Sequence, residues 1–379
     1  MPPTPTCTIA LATTTLSHAR LVSGPAVTGV SKLGSAISLV ASEYSFKLDH
    51  LQRADEMTAD RLATFSDSLT KSLSAVGSLA DIDVILCGSF GRREVTSESD
   101  YDYLVLVGAD ADHRAMQAVN LAVSSVVQTL KGPGSTGIFG DFSITTELYS
   151  RIGLESDSYT NATRRMLLLT ESVSALSMPF REDSIRRIAY RYCDDYTDLT
   201  ADSAPPVPRF FLNDIFRYWR TLTVDYAAKQ WKDGRESSSL RKVKLLTSRK
   251  LLFAGSLASA FLTQTLPSSS SPHNSLVEYL VTESNRTPLN RLMSLYPYVS
   301  GSSRTALANV LRRYDEFIGI LNDRRSRITI SSAYLSSTDE STALKFQVDQ
   351  ICDDIQSGLQ QVFFNDPWLS PLTVKYGLF

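Results

Sequence analysis

The chain has 379 residues, 43% hydrophobic and 21% charged, with a formal net charge of −2 and a pI near 6.1. Those proportions suit a globular protein long enough for two domains and give no overall pull toward nucleic acid. Cys7, Cys87, Cys193 and Cys352 are scattered without a Cys-x-x-Cys pair, and His18, His50, His113 and His273 are dispersed, so structural zinc and a Ser-His-Asp triad have little support.

The N-terminus lacks the charged-then-apolar form of a secretory signal. The longest apolar run, 251–262, is too short and too broken by Gly and Ser to span a bilayer. The expectation is a cytoplasmic protein without a membrane segment. Residues 1–40 are rich in Thr, Ser, Ala, Gly and Pro and read as an N-terminal arm or loose tail, with Leu21, Val22, Leu33 and Leu39 able to dock. Over 42–76, Phe46, Leu51, Leu62, Phe65, Leu69 and Leu73 recur at helical spacing and predict one or two packing helices. The apolar run 84–87 predicts a buried strand. Gly88-Ser89 breaks it, a polar turn carries Gly91, Arg92, Arg93 and Glu94, and 100–107 predicts a second strand.

Residues 111–131 predict a helix with Met116, Val119, Val123, Val126 and Leu130 on one face. The loop 131–137 lacks the Gly-Lys-Ser/Thr of a Walker motif. Residues 141–148 read as a strand, with Phe142 and Ile144 facing one way and Asp141, Ser143, Thr145 and Glu147 the other. A helix over 156–177 would place Arg164 and Arg165 near its start, where cations are unfavourable, so they serve a salt bridge or a phosphate. A further helix covers 182–196. Pro205, Pro206 and Pro208 then break any helix and set a domain boundary.

The second half is helical in pattern. Residues 209–231 offer Ile215, Trp219, Leu222 and Tyr226 as a core stripe, and Asp233-Gly234 marks a turn. The most basic segment is 239–250, running into an apolar helix; Lys244 and Ser248 share a helical face there, while Lys244 and Arg249 lie five apart. Helices follow over 303–322 and 341–364, the latter striped by Leu344, Val348, Ile351, Ile355, Leu359 and Val362 as core or as the seam of a homo-oligomer.

The chemistry concentrates at 83–107. Residues two apart on a strand share a face, so Asp100 and Asp102 present adjacent carboxylates. Such a pair repels unless a cation lies between its members. Hard oxygen ligands of this kind suit Mg²⁺, which takes one or two carboxylates plus substrate phosphates. Gly88 lets backbone approach a ligand, and Ser89 with the following amides could hold phosphate oxygens.

This string, Gly-Ser-Phe-Gly-Arg-Arg-Glu closed by Ser99-Asp100-Tyr-Asp102, resembles the signature of the polymerase-β-like nucleotidyltransferase superfamily, and most closely its bacterial adenylyl- and uridylyltransferase-like branch. The resemblance covers about 25 residues. It implies an α+β fold: a small mixed-sheet nucleotidyltransferase domain flanked by helices at 41–200, then an all-helical C-terminal domain at 201–379 that closes the cleft. It further implies Mg²⁺ or Mn²⁺ and an NTP such as ATP as substrate. Metal would be held by Asp100, Asp102 and a third carboxylate from a neighbouring strand, either Asp141, also placed among the metal ligands, or Glu147. Gly88 and Ser89 would hold phosphates beside Arg92. Lys244, Ser248 and Arg249 are the candidates for the cations and hydroxyl that a helical domain lends to the triphosphate. The NMP would pass to a hydroxyl on a protein, an RNA or a small molecule, with pyrophosphate released. Synthesis of a signalling nucleotide, or a non-catalytic nucleotide- or partner-binding module such as a toxin–antitoxin component, are the alternatives.

Overall fold

The computed structural model describes residues 33–133, 137–196, 199–200, 205–233, 239–332 and 339–378. Most of the expected arm (1–32), the centre of the loop at 131–137, residues 201–204 of the proline-rich link and Gly234 lie outside them.

Helices α1 (Ser35–Glu43) and α2 (Asp49–Ser72) lead into strand β1 (Ile82–Cys87). A single helical turn, α3 (Ser89–Arg92), and strand β2 (Tyr103–Val107) follow. Next come α4 (His113–Gln128), β3 (Phe142–Ile144), α5 (Thr145–Ser150), α6 (Tyr159–Thr170), β4 (Ser172–Ser174) and α7 (Met178–Cys193). The remainder is helical: α8 (Arg209–Asp233), α9 (Ser239–Lys244), a π-helical turn (Leu245–Arg249), α10 (Lys250–Leu262), α11 (Pro272–Ser284), α12 (Pro288–Met293), α13 (Gly301–Asn322), α14 (Arg324–Ser332), α15 (Asp339–Gln360) and α16 (Leu369–Thr373). The class is α+β, with one small mixed sheet in a mostly helical chain.

The sheet runs β3-β2-β1-β4, with β1 antiparallel to both neighbours and β2 parallel to β3. Every residue of β1 and β2 is buried because helices cover both faces. Ile82, Val84, Leu86, Tyr103, Val105 and Val107 pack toward Phe65, Leu69, Val119 and Val123. Ile85, Cys87, Leu104 and Leu106 belong to a second cluster that reaches from Ile37 to Leu369. Strands wet on neither face carry apolar runs instead of alternation, which is how both are written. The helices before and after Pro205–Pro208 share that second cluster, and the described residues belong to one compact unit.

Three expectations need correction. The second strand begins at Tyr103, so Asp100 and Asp102 precede it, although the Asp102 carbonyl still accepts from the Cys87 amide at 2.8 Å and extends the ladder. The strand predicted over 141–148 stops at Ile144 and turns into α5. Over the strand itself the expected alternation holds, with the polar face inward: Ser143 is buried and Ile144 is 43% exposed. Residues 156–177 are not one helix, because Glu171 leaves α6 at φ −151° and the chain pairs with β1 as β4. The helical run Ser239–Thr265 is long and apolar enough to cross a bilayer by length and composition, and 78% of its most apolar stretch is buried in the fold.

Candidate functional site

The register Leu86↔Tyr103 sets the end of β1 beside the start of β2, so Gly88 and Asp102 become neighbours. Gly88 has φ +66° and ψ −123°, a backbone region open to glycine. A Cβ there would stand 3.4 Å from the Asp102 Oδ2. Ser89 opens α3, and Phe90 anchors it, fully buried with its ring 4.8 Å from that of Tyr101. Gly91 lies so close to the Glu171 backbone that a Cβ would fall 2.0 Å from its carbonyl carbon. Arg93 closes the turn in the left-handed region and pairs with buried Asp55 of α2.

A cavity of about 360 Å³ opens over this turn. Gly88, Ser89, Arg92, Asp100, Asp102, Lys244, Ser248 and Arg249, all singled out from the sequence, line it. Asp100 is half exposed and meets the Lys131 ammonium at 2.8 Å. The Asp102 carboxylate has no hydrogen-bond or ion-pair partner among the described residues. Burial, then the charges of Asp100 and Glu171, push its pKa up to about 6 against the opposing pull of Arg92 and Arg249.

Across the cavity the sign reverses. Lys244 is pushed down to about 8 by burial and by Arg327, Arg92 and Arg249, with Asp100 working against them. Neither Lys244 nor Arg249 forms an ion pair among the described residues, and Arg327 donates only to the Thr96 hydroxyl, at 3.2 Å. The cavity therefore sets Asp102, a carboxylate without a cationic partner among the described residues, and Asp100, paired only with Lys131, opposite the unpaired Lys244 and Arg249.

The π-helical turn explains how one helix delivers these cations. Five residues separate Lys244 from Arg249, too many for one α-helical face. A turn closed i to i+5 stacks residues five apart, and Leu245–Arg249 is such a turn. It also aims Ser248 at the Tyr314 hydroxyl, 2.9 Å away.

Other predicted residues lie elsewhere. Asp141 is 66% exposed and meets Arg164 at 3.3 Å; Glu147 sits on α5 and meets Arg151 at 3.3 Å. Neither is among the lining residues of the cavity. Among the described residues no group of three or more His, Cys, Asp or Glu side chains converges as a metal cluster. Of the expected metal ligands Asp100, Asp102 and Asp141, the first two line the cavity and Asp141 does not. Arg165 is fully buried between Asp157 and Asp214, and Arg164 bonds the Ile138 and Phe142 carbonyls, so both serve the fold.

Sequence reasoning missed Glu171, Tyr218, Asp225, Lys229 and Arg327, all of which line the cavity. Glu171 carried a faint signal: Ser-Val-Ser follows it, a short alternation after the apolar helix. No family model, no curated protein and no solved structure matches this chain.

Proposed function

We propose that the chain is a metal-dependent nucleotidyltransferase of the polymerase-β-like kind, moving an NMP from an NTP to an acceptor hydroxyl. The observation that carries this reading is the meeting, in one cavity, of the Gly88-Ser89 turn, the Asp100 and Asp102 carboxylates and the unpaired Lys244 and Arg249. Mg²⁺, when bound, would neutralise charge on the transferring phosphoryl group and steady the leaving pyrophosphate.

The chain's own residues bind and orient. Asp100 and Asp102 would hold the cation, exchanging mutual repulsion for coordination. Lys244, Arg249 and Arg327 take the negative charge of the triphosphate, and Ser89 offers a hydroxyl to its oxygens. The apolar part of the wall, Ile138, Phe139, Tyr159, Leu167 and Leu222, offers a face for the base. As the acceptor oxygen bonds the α-phosphorus, its proton passes to solvent, and the bond from that phosphorus to the α–β bridging oxygen breaks, its electron pair leaving with pyrophosphate. Catalysis of this type is mainly positioning and charge neutralisation.

The test is incubation with Mg²⁺ and each α-labelled NTP beside protein, RNA and small-molecule acceptors. Label transferred to any acceptor, with pyrophosphate released, supports the reading and identifies the acceptor class. No transfer with any NTP in either Mg²⁺ or Mn²⁺ overturns it.

A further inference from the structure

Arg92 stands at the centre of a chain of polar groups that crosses the molecule. Its Nε donates to Glu94 at 2.9 Å, and the guanidinium also pairs with Glu171. Each carboxylate is in turn held by a tyrosine from the helical half. The Tyr218 hydroxyl on α8 donates to Glu171 at 2.6 Å. The Tyr314 hydroxyl on α13 donates to Glu94, and Ser248 of the π-helical turn lies 2.9 Å from the same hydroxyl. A hydroxyl that gives its one proton to a carboxylate accepts from its other neighbour, so Ser248 donates to Tyr314.

All of these groups except Arg92 are at least nine-tenths buried, and Arg92 is 16% exposed. In that setting each bond is strengthened by low dielectric, and each vacancy is costly. Two points on the chain matter most. At its centre, Arg92 belongs to the helical turn that Ser89 opens; at one end, Ser248 belongs to the π-helical turn between Lys244 and Lys250.

We infer that Tyr314 and Tyr218 are positioning residues that fix the carboxylate side of the cavity against its cationic side, so that a metal on one and a polyphosphate on the other bind as a unit. The inference rests on the metal–triphosphate reading above. It adds that the coupling between the two ligands is carried by the Ser248–Tyr314–Glu94–Arg92–Glu171–Tyr218 chain. Tyr314 lies outside the cavity wall and acts through Glu94, while Tyr218, on the wall, spends its hydroxyl proton on Glu171.

Coupling can be measured without turnover. Inorganic tripolyphosphate is titrated calorimetrically with and without Mg²⁺, on the intact protein and on Tyr314→Phe and Tyr218→Phe. The intact protein is expected to bind tripolyphosphate at least tenfold more tightly with Mg²⁺ than without. Tyr314→Phe should keep the metal-free affinity within about twofold and lose most of the Mg²⁺ enhancement. In the labelled-NTP assay its kcat should fall about tenfold at nearly constant KM, the pattern of an interaction made in the transition state. Ser248→Ala cuts only the link to the π-helical turn and should act in the same direction, more mildly; it stands in if Tyr314→Phe does not fold. Full Mg²⁺ enhancement in the variants overturns the inference alone, as does a loss of metal-free binding in step with it. Absence of any Mg²⁺ enhancement in the intact protein overturns the metal–triphosphate reading, and this inference with it.

Discussion

Asp102 occupies a position that raises the free energy of its own charge. It is buried next to Asp100 and Glu171, and its pKa moves from 3.8 to about 6. The folded, metal-free chain therefore holds that proton more tightly than the unfolded chain does. The sign follows by linkage: stability contributed at this site is greatest below about pH 4, declines as pH rises to about 6, and stays lower above it. The difference is on the order of 2–3 kcal/mol. Asp102→Asn mimics the protonated form. Its denaturant midpoint without metal should match the parent at pH 4 and exceed it at pH 8; a lower midpoint at pH 8 would refute the assignment. The same variant should lose about 10²–10³-fold in turnover, measured by pyrophosphate release with the circular dichroism spectrum unchanged.

At this scale the sequence was readable where the chemistry is local. Gly88, Ser89, Asp100 and Asp102 fall within fifteen residues, and their spacing relative to two apolar runs sets their meeting. Tyr218, Tyr314 and Arg327 reach the same region from three separate helices, and Glu171 from the junction of α6 and β4. No local pattern marks them, since each looks like an ordinary residue of an amphipathic segment.

Among the elements, the single turn α3 is the most tightly specified. Its Gly91 approaches the Glu171–Ser172 backbone within a distance that excludes any side chain. Gly91→Ala must push α3 away from β4, stretching the Arg92–Glu171 pair. Destabilisation of about 2–3 kcal/mol is expected from such overpacking against backbone, read as a lowered urea midpoint, and the variant should also bind nucleotide more weakly. Retention of parental stability would mean that this contact has slack. The long helices were legible because their stripes repeat: of the expected stripe Leu344, Val348, Ile351, Ile355, Leu359 and Val362, all are buried except Leu344, which is partly so. Strands β3 and β4 have three residues each, too few for alternation to be distinguished from chance. That is why 141–148 reads as a strand and 156–177 as a helix. The π-helical turn leaves no mark in composition at all, yet it lies between Lys244 and Lys250 and carries Arg249 to the cavity that Lys244 also lines.

For the whole molecule, the decisive fact is that the sheet and the helical half share one apolar cluster. The prolines at 205–208 interrupt the chain without interrupting that core. A fragment ending at residue 200 should therefore fail to fold, giving no cooperative thermal transition; a sharp transition in that fragment would establish an autonomous domain. The two parts were separable in the sequence because proline breaks helices. Their shared core was not, because apolar stripes do not name their partners.

The run Ser239–Thr265 gives this sharing a further meaning during synthesis. Its apolar length would satisfy a lipid bilayer, and inside the fold most of it is covered by neighbours that include α8, α12 and α15. Of those, α12 and α15 emerge from the ribosome after it. Until they arrive, that apolar run lacks two of the helices that cover it in the fold, so its burial is completed only by segments translated after it.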